Sequence, residues 1–206
     1  MSQINLERFQ SGEQYADYRE RILATTGLTH DLLVASEAGL ASTEIDTSVF
    51  AGLPEKLRVL VLHFDECSDS ADTLPILERI EKETGKIEVR IVERDDNPEL
   101  RDSYLNRGTF ASVPVVIFLD GDFNEIGHFI ERPDSVTAIR AERRDAINLA
   151  HLGADGISTP PHEIPDEVRA AILSDILAMR EEVRPSLISE TVRELNEIVA
   201  PLTLAH

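Results

Sequence analysis

The chain has 206 residues, of which 42% are hydrophobic, so it is long enough and apolar enough for one sizeable domain with helical additions. Its formal net charge is −19, only 5% of its residues are aromatic, and it lacks tryptophan. This composition excludes a typical nucleic-acid surface, because phosphates would be repelled and no stacking platform is available, and it disfavours an anionic membrane. We therefore expect an acidic protein with neither a nucleic-acid partner nor a membrane partner.

The chain contains one cysteine, Cys67, so it cannot form an intramolecular disulfide and is not a disulfide-stapled secreted fold. No apolar run approaches the roughly 20 residues that a membrane-spanning helix needs. The N-terminal residues also lack an apolar core of signal-peptide length. Together these features predict a cytoplasmic protein.

Apolar residues at helical spacing predict a helical N-terminal extension across residues 1–52, with a break at Gly27. Residues 53–152 alternate between strand and helix patterns, which predicts a largely parallel sheet with an antiparallel hairpin at its edge. Pro75 lies inside the first helix of this region, where we expect it to cause a kink. The expected elements are strands at 57–64, 87–92, 115–119 and 125–130, and helices at 72–83, 99–105 and 135–149.

The C-terminal residues 153–206 form the third predicted segment. Residues 153–165 are rich in glycine and proline, which is typical of a linker. Two amphipathic helices are expected after the linker, at 166–179 and 189–202, with a separation near Pro185. These helices could dimerise, cover the sheet or cap one of its ends, so the sequence leaves a homodimer open.

The stretch LRVLVLHFDECSDSADTLPIL joins the first strand to the next helix and holds the single thiol. Cys67 lies where the strand ends and the helix begins, and the backbone N–H groups of a helix start favour the thiolate. Four neighbouring carboxylates oppose this effect, since nearby negative charge disfavours another negative charge. We expect these acidic residues to form a solvated turn and helix cap, because their spacing fits no calcium loop. They are Asp65, Glu66, Asp69 and Asp72.

The spacing of the histidines does not predict a metal site. His128, His151 and His162 have no cysteine or histidine neighbour at the spacing of a zinc site. His63 ends the first strand, and we interpret it as a core or edge residue, because the alternation of side chains along a strand does not establish that its ring reaches Cys67. We therefore expect no metal and no cofactor.

The order of elements, with a cysteine at the first strand-to-helix turn, resembles the thioredoxin fold. Pro75 follows Cys67 by eight residues, like the kinking proline of the first thioredoxin helix, and Val113-Pro114 precedes the third strand where thioredoxins carry a cis-proline. The runs DECSDSADTLPILERI and SVPVVIFLD are similar to those of a little-characterised group of bacterial thioredoxin family proteins with helical extensions. The resemblance implies an α/β, thioredoxin-like mixed sheet, with a parallel core and an antiparallel edge hairpin, flanked by helices.

The chain departs from the C-x-x-C motif of dithiol thioredoxins, because Ser70 occupies the position of the resolving cysteine. An intramolecular dithiol cycle is therefore closed to it. The resemblance implies a monothiol thiol–disulfide oxidoreductase, in which Cys67 forms a mixed disulfide, Ser70 assists and an external thiol resolves the product. It also implies that Val113 and Pro114 form the substrate-docking edge, and that the partner is glutathione or a protein thiol or disulfide.

Two other functions stay open at this point. A thioredoxin-fold protein can also be a binding or assembly module that has lost redox turnover, with Cys67 as a small inert residue. Some single-cysteine glutaredoxins share a [2Fe–2S] cluster with glutathione across a dimer, but this chain lacks their characteristic motif.

Overall fold

A four-stranded mixed sheet lies at the centre of the computed structural model, which describes residues 4–204. The strand order is β2-β1-β3-β4, with β1 parallel to β2, β3 antiparallel to β1, and β4 antiparallel to β3. This arrangement confirms the expected thioredoxin-like mixed sheet with an antiparallel edge hairpin. The strands are β1 (Leu57–His63), β2 (Ile87–Glu93), β3 (Val115–Leu119) and β4 (Glu125–Ile130).

The parallel part of the sheet is limited to the pair β1 and β2, which is less than the alternation of strands and helices predicts. The helix between β2 and β3 has six residues and spans roughly 9 Å, whereas a seven-residue strand spans roughly 23 Å. The helix that joins β2 to β3 is therefore too short to run back along the sheet. β3 starts at the end where β2 stops and runs antiparallel to β1.

Eight α-helices surround the sheet within residues 4–204. The helix after β1 begins at Ser68, earlier than the expected residue 72, and it continues through Pro75. The last helix of the sheet domain extends beyond the expected residue 149 into the predicted linker, with a non-helical break at Gly153. The helices are α1 (Leu6–Ser11), α2 (Tyr15–Leu23), α3 (Leu28–Ala41), α4 (Ser48–Ala51), α5 (Ser68–Thr84), α6 (Pro98–Ser103), α7 (Asp134–Gly156) and α8 (Asp166–Thr203).

The prediction of two separate C-terminal helices is wrong, because α8 is one helix of 38 residues that includes Pro185. Proline removes one backbone hydrogen bond, that of its own nitrogen to the carbonyl of Glu181. Both Pro185 and Glu181 are exposed, so water can hydrate this carbonyl. The buried face of α8 packs on the rest of the chain on both sides of the proline, and this packing outweighs the lost bond. Its apolar members include Met179, Val183, Leu187, Ile188, Leu195 and Val199.

Both faces of the central strands are buried, as their nearly continuous apolar sequence predicts. Because successive side chains of a strand point to opposite faces, Val59 and Val61 join one apolar cluster and Leu60 and Leu62 join another. Residues of α2, α3, α4, α5 and α8 cover the first face, and residues of α1 and α6 contribute to the second. The helical extensions are therefore part of the same hydrophobic core as the sheet.

Leu195→Ala should lower the free energy of unfolding by about 2–5 kcal/mol, because Leu195 is fully buried in the cluster that joins α8 to the sheet. The measurement is urea unfolding followed by circular dichroism. Leu173→Ala is the matched control on the same helix; Leu173 is 46% exposed, so its loss should stay within about 0.5 kcal/mol. Equal losses in the two variants would contradict the docking of α8.

Candidate functional site

The single thiol lies at the junction of β1 and α5, where the sequence predicts a turn. Cys67 is the N-cap residue of α5 and has an extended backbone. Its N–H donates a hydrogen bond to the carbonyl of Phe64 (2.8 Å), and its carbonyl accepts one from the N–H of Ala71 (3.3 Å). These two bonds connect the turn to the first turn of the helix. The side chain of Cys67 is half-buried.

Cys67 contacts the loop before β3, as the resemblance implies. The Cys67 Sγ donates a hydrogen bond to the carbonyl oxygen of Val113, at 3.3 Å. The peptide bond between Val113 and Pro114 is cis. The fold therefore brings three of the four expected site residues together.

The fourth expected site residue, Ser70, lies in the first turn of α5 and is fully buried. Its hydroxyl makes no hydrogen bond of standard geometry within residues 4–204. The hydroxyl nevertheless lies near enough to Cys67 to favour the thiolate. It cannot replace a second thiol, because a hydroxyl does not form a disulfide.

Burial raises the pKa of the Cys67 thiol above its ordinary value, and the negative charge of Asp69 raises it further. The backbone N–H groups of Ser70 and Asp69 and the Ser70 hydroxyl act in the opposite direction and are outweighed. The thiol is therefore protonated at neutral pH, in agreement with its role as the hydrogen-bond donor to Val113. A helix start alone does not make this cysteine a reactive thiolate.

The expectation of a solvated acidic turn is wrong for Asp69 and Asp72, which are only 8% and 4% exposed. Asp65 and Glu66, which precede Cys67, do reach solvent. The two buried carboxylates contact guanidinium groups from the loop after β4, from α7 and from α8. We call this group the arginine–aspartate cluster, and its members are Asp69, Asp72, Arg132, Arg140, Arg180 and Arg184.

Asp72 is the centre of the arginine–aspartate cluster. One of its carboxylate oxygens accepts hydrogen bonds from the Ser36 hydroxyl (2.6 Å) and from Arg184 (2.7 Å). The other oxygen accepts bonds from Arg180 (2.6 Å) and Arg140 (3.1 Å). The charge and the lone pairs of this buried carboxylate are therefore satisfied by α3, α7 and α8.

The two carboxylates of the cluster respond differently to the same surroundings. Burial raises the pKa of Asp72, but Arg180, Arg140 and Arg184 outweigh burial, so that the pKa lies below its ordinary value. Asp69 receives bonds from Arg132 and Arg140 (2.8 Å for Arg140), yet burial prevails there and its pKa is raised. The negative charge of Asp72 also raises the pKa of Asp69, whereas Asp72 accepts hydrogen bonds from three guanidinium groups and from the Ser36 hydroxyl.

The cluster also anchors the C-terminal helix to the turn that carries the thiol. Arg180 of α8 donates a second bond to the carbonyl of Ser68, the residue that follows Cys67 (3.2 Å). Arg184 passes over Gly39 of α3, where a Cβ atom would overlap its side chain. Sequence reasoning missed these arginines, although the spacing of four residues between Arg180 and Arg184 places both on one helix face.

Within residues 4–204, no helix is long and apolar enough to cross a membrane. One group of three side chains in that part of the chain brings possible metal ligands together, and its members are His63, Asp65 and Glu93. His63 is 1% exposed, so its interpretation as a core or edge histidine is confirmed.

Comparison with known proteins agrees with this architecture. A family model described as thioredoxin matches residues 18–144, so the chain belongs to the thioredoxin family. No curated protein matches the chain.

Two solved structures are similar over most of their length. One is an HIV epitope scaffold with 18% identity and a TM-score of 0.59, covering 95% of this chain and 96% of that one. The other is a protein of unknown function from Pseudomonas aeruginosa with 21% identity and a TM-score of 0.55, covering 87% of this chain and 99% of that one. At such low identity these likenesses concern the fold alone.

Asp72→Asn should lower the free energy of unfolding by about 3–5 kcal/mol, because it leaves buried guanidinium groups without their charge partner. The lowered pKa of Asp72 means that its carboxylate stabilises the fold above the ordinary pKa and that this contribution is lost as the pH falls. The variant should therefore lose less stability than the wild type below about pH 4. Urea unfolding at a series of pH values measures both effects.

Asp102→Asn is the control for this comparison, since Asp102 is exposed and forms a salt bridge with neighbouring Arg101. Its effect should stay within about 0.5 kcal/mol. A similar stability for Asp72→Asn and the wild type at neutral pH would mean that the cluster does not hold the helices together.

Proposed function

We propose that this thioredoxin-family protein is a binding module without redox turnover, which takes an extended peptide at the edge formed by Val113 and Pro114. The observation that supports this best is the hydrogen bond from the Cys67 thiol to the Val113 carbonyl. Only the protonated thiol can donate this bond, whereas a thiolate would face the negative end of the carbonyl dipole. The geometry therefore stabilises the form of Cys67 that is the poorer nucleophile.

Val113 and Pro114 are buried, so a peptide would reach this edge through the partly exposed loop residues 111–112. The paired part of β3 begins at Val115, so residues 111–113 precede the ladder and lie outside it. Phe110 lies at the start of this loop and is 64% exposed, which gives a peptide an aromatic surface beside the backbone. Strand addition at such an edge combines backbone hydrogen bonds with side-chain contacts, and it requires no reactive thiol.

A monothiol thiol–disulfide oxidoreductase is the second candidate, and the position of Cys67 favours it. The thiol is half-exposed at the N-cap of a 17-residue helix, and the N–H groups of Ser70 and Asp69 favour the thiolate. In this reaction the Cys67 thiolate attacks one sulfur of a disulfide, such as glutathione disulfide, and the other sulfur leaves as a thiolate. A second external thiol then attacks the mixed disulfide, regenerates Cys67 and carries away the bound group.

The pH dependence of alkylation separates the two candidates. The rate of reaction of Cys67 with iodoacetamide should rise with an apparent pKa above about 8.5, because burial and Asp69 disfavour the thiolate. In parallel, the wild type and Cys67→Ser should reduce a small disulfide equally poorly with glutathione. An apparent pKa below about 7, with activity that Cys67→Ser abolishes, would support the monothiol oxidoreductase and refute the binding module.

Selection from a library of displayed peptides tests the docking edge. Phe110→Ala should weaken the binding of a selected peptide about tenfold, because it removes an exposed aromatic surface beside the edge. Leu173→Ala removes an exposed apolar side chain on α8 and should leave the affinity unchanged. Peptides that bind Phe110→Ala as tightly as the wild type, or that require a free thiol, would contradict this docking mode.

A further inference from the structure

A second group of side chains that could bind a ligand lies at the end of β1, beside the turn that carries Cys67. His63 is the last residue of β1, and its imidazole is almost completely buried. Its Nε2 atom faces one oxygen each of Asp65 (3.7 Å), Glu93 (3.7 Å) and Glu13 (3.9 Å). We call these four residues the His63 group.

The distances within the His63 group are too long for hydrogen bonds and suit ligands that share one ion. A hydrogen bond from Nε2 would bring its oxygen to about 2.7–3.2 Å, whereas the three oxygens lie at 3.7–3.9 Å. Around a tetrahedral zinc ion with bonds of about 2.0–2.2 Å, neighbouring ligand atoms lie about 3.4 Å apart. Ligand atoms of His63, Asp65 and Glu93 all lie within 4.8 Å of one another.

A carboxylate oxygen that faces the imidazole is buried without a partner, which is unusual for a group that has only a structural role. The Asp65 Oδ1 atom, which faces the imidazole, has no hydrogen-bond partner within residues 4–204, and neither has His63 Nδ1. Tyr18 packs edge-on against the imidazole, with ring centroids 5.3 Å apart and planes at 90°. The ring is thereby held with its Nε2 towards the carboxylates.

The backbone fixes the members of the group relative to one another. His63 and Glu93 are paired residues at the ends of the parallel strands β1 and β2, so their side chains leave the same edge of the sheet. Glu13 precedes α2 and lies beside β2, because it exchanges backbone hydrogen bonds with Ile91. The arrangement therefore depends on the sheet register and not on the conformation of a long loop.

Arg21 orients two of the carboxylates. It binds Asp65 through Oδ2, so that Oδ1 remains directed to the imidazole. It binds Glu13 through Oε1 (2.5 Å), the same oxygen that lies nearest to His63 Nε2, so this Glu13 oxygen is already paired. Glu93 uses Oε1 to accept the N–H of Asp95 and presents Oε2 to His63. Such contacts from outside a ligand set orient its members.

We propose that His63, Asp65 and Glu93 form a binding site for a divalent transition-metal ion of the zinc type, with Glu13 and Arg21 beside the ligands. One imidazole nitrogen and carboxylate oxygens are ligands that zinc accepts. Three carboxylates and the Arg21 guanidinium leave a formal charge of about −2, which a divalent cation neutralises. The site is independent of the proposed peptide-docking function, because it uses neither Cys67 nor Val113.

The protonation state of the histidine agrees with this site. Burial lowers the pKa of His63 to about 4, although Asp65 acts in the opposite direction. The imidazole is therefore neutral at physiological pH, and no proton competes strongly with a metal ion for the ring nitrogen. Without an ion, three carboxylates surround a neutral ring that they do not reach by hydrogen bonds.

Calorimetric titration of the full chain with Zn²⁺, after treatment with a chelator and dialysis, tests the proposal. One zinc ion should bind per chain, and the thermal midpoint should rise with zinc concentration, since the ion binds the folded state. Glu93→Gln and Asp65→Asn should each weaken binding at least roughly tenfold, because each replaces a ligand oxygen with a weaker one. Glu66→Gln removes an exposed carboxylate from the same turn and should bind zinc like the wild type.

Cys67→Ser excludes zinc capture by the free thiol and should keep both the stoichiometry and the affinity. A nitrogen-15 spectrum of the histidine side chains gives a direct readout, since zinc should shift the Nε2 resonance of His63. No stoichiometric binding, or binding that is equally tight in the wild type and Glu93→Gln, would overturn the proposal. Loss of binding in Cys67→Ser would overturn it as well. If Asp65→Asn does not fold by circular dichroism, Glu93→Gln decides the question, because Glu93 lies at a strand end and is only half-buried.

Discussion

The buried carboxylate of Asp72 is the constraint on which the position of the helices depends. A charge in the interior costs several kcal/mol unless opposite charges and hydrogen bonds compensate it. Here the compensation comes from Ser36 on α3, Arg140 on α7, and Arg180 and Arg184 on α8. Apolar packing is not directional, whereas hydrogen bonds and ion pairs require specific positions of their partners. Four directed bonds to one carboxylate allow one arrangement, in which both terminal extensions meet at the first turns of α5.

This arrangement also determines the electrostatics of the thiol. Arginines near a cysteine normally stabilise the thiolate, and several lie close to the start of α5. Their charges are directed to Asp69 and Asp72, so burial and the carboxylate of Asp69 prevail at Cys67. The family fold thus supplies the position of a redox cysteine, while the local charges favour a protonated thiol. Position and reactivity are separate properties of this turn.

The turn that carries Cys67 and the His63 group lie at the same end of the sheet, where β1 and β2 stop. Parallel strands bring their carboxyl ends to one edge, and the residues that follow them converge there. Cys67 follows β1 directly, whereas His63 and Glu93 are the paired final residues of β1 and β2. Two chemically different groups can therefore occur close together without sharing a residue.

The local pattern of residues was sufficient for the strands, for the burial of β1 and β3, and for the meeting of Cys67 with Val113. Strand periodicity is encoded in neighbouring residues, and the family resemblance supplied the long-range pairing. The local pattern did not predict the direction of β3, the continuity of α8 through Pro185, or the burial of Asp69 and Asp72. A carboxylate near a helix start looks solvated until distant arginines reach it, and a proline breaks a helix only if packing does not compensate the lost bond. The sequence by itself therefore determined the fold class and the missing second thiol. The tertiary structure decided how the charges beside the remaining thiol are paired, because the arginines that bind Asp69 and Asp72 lie more than 60 positions away in the chain.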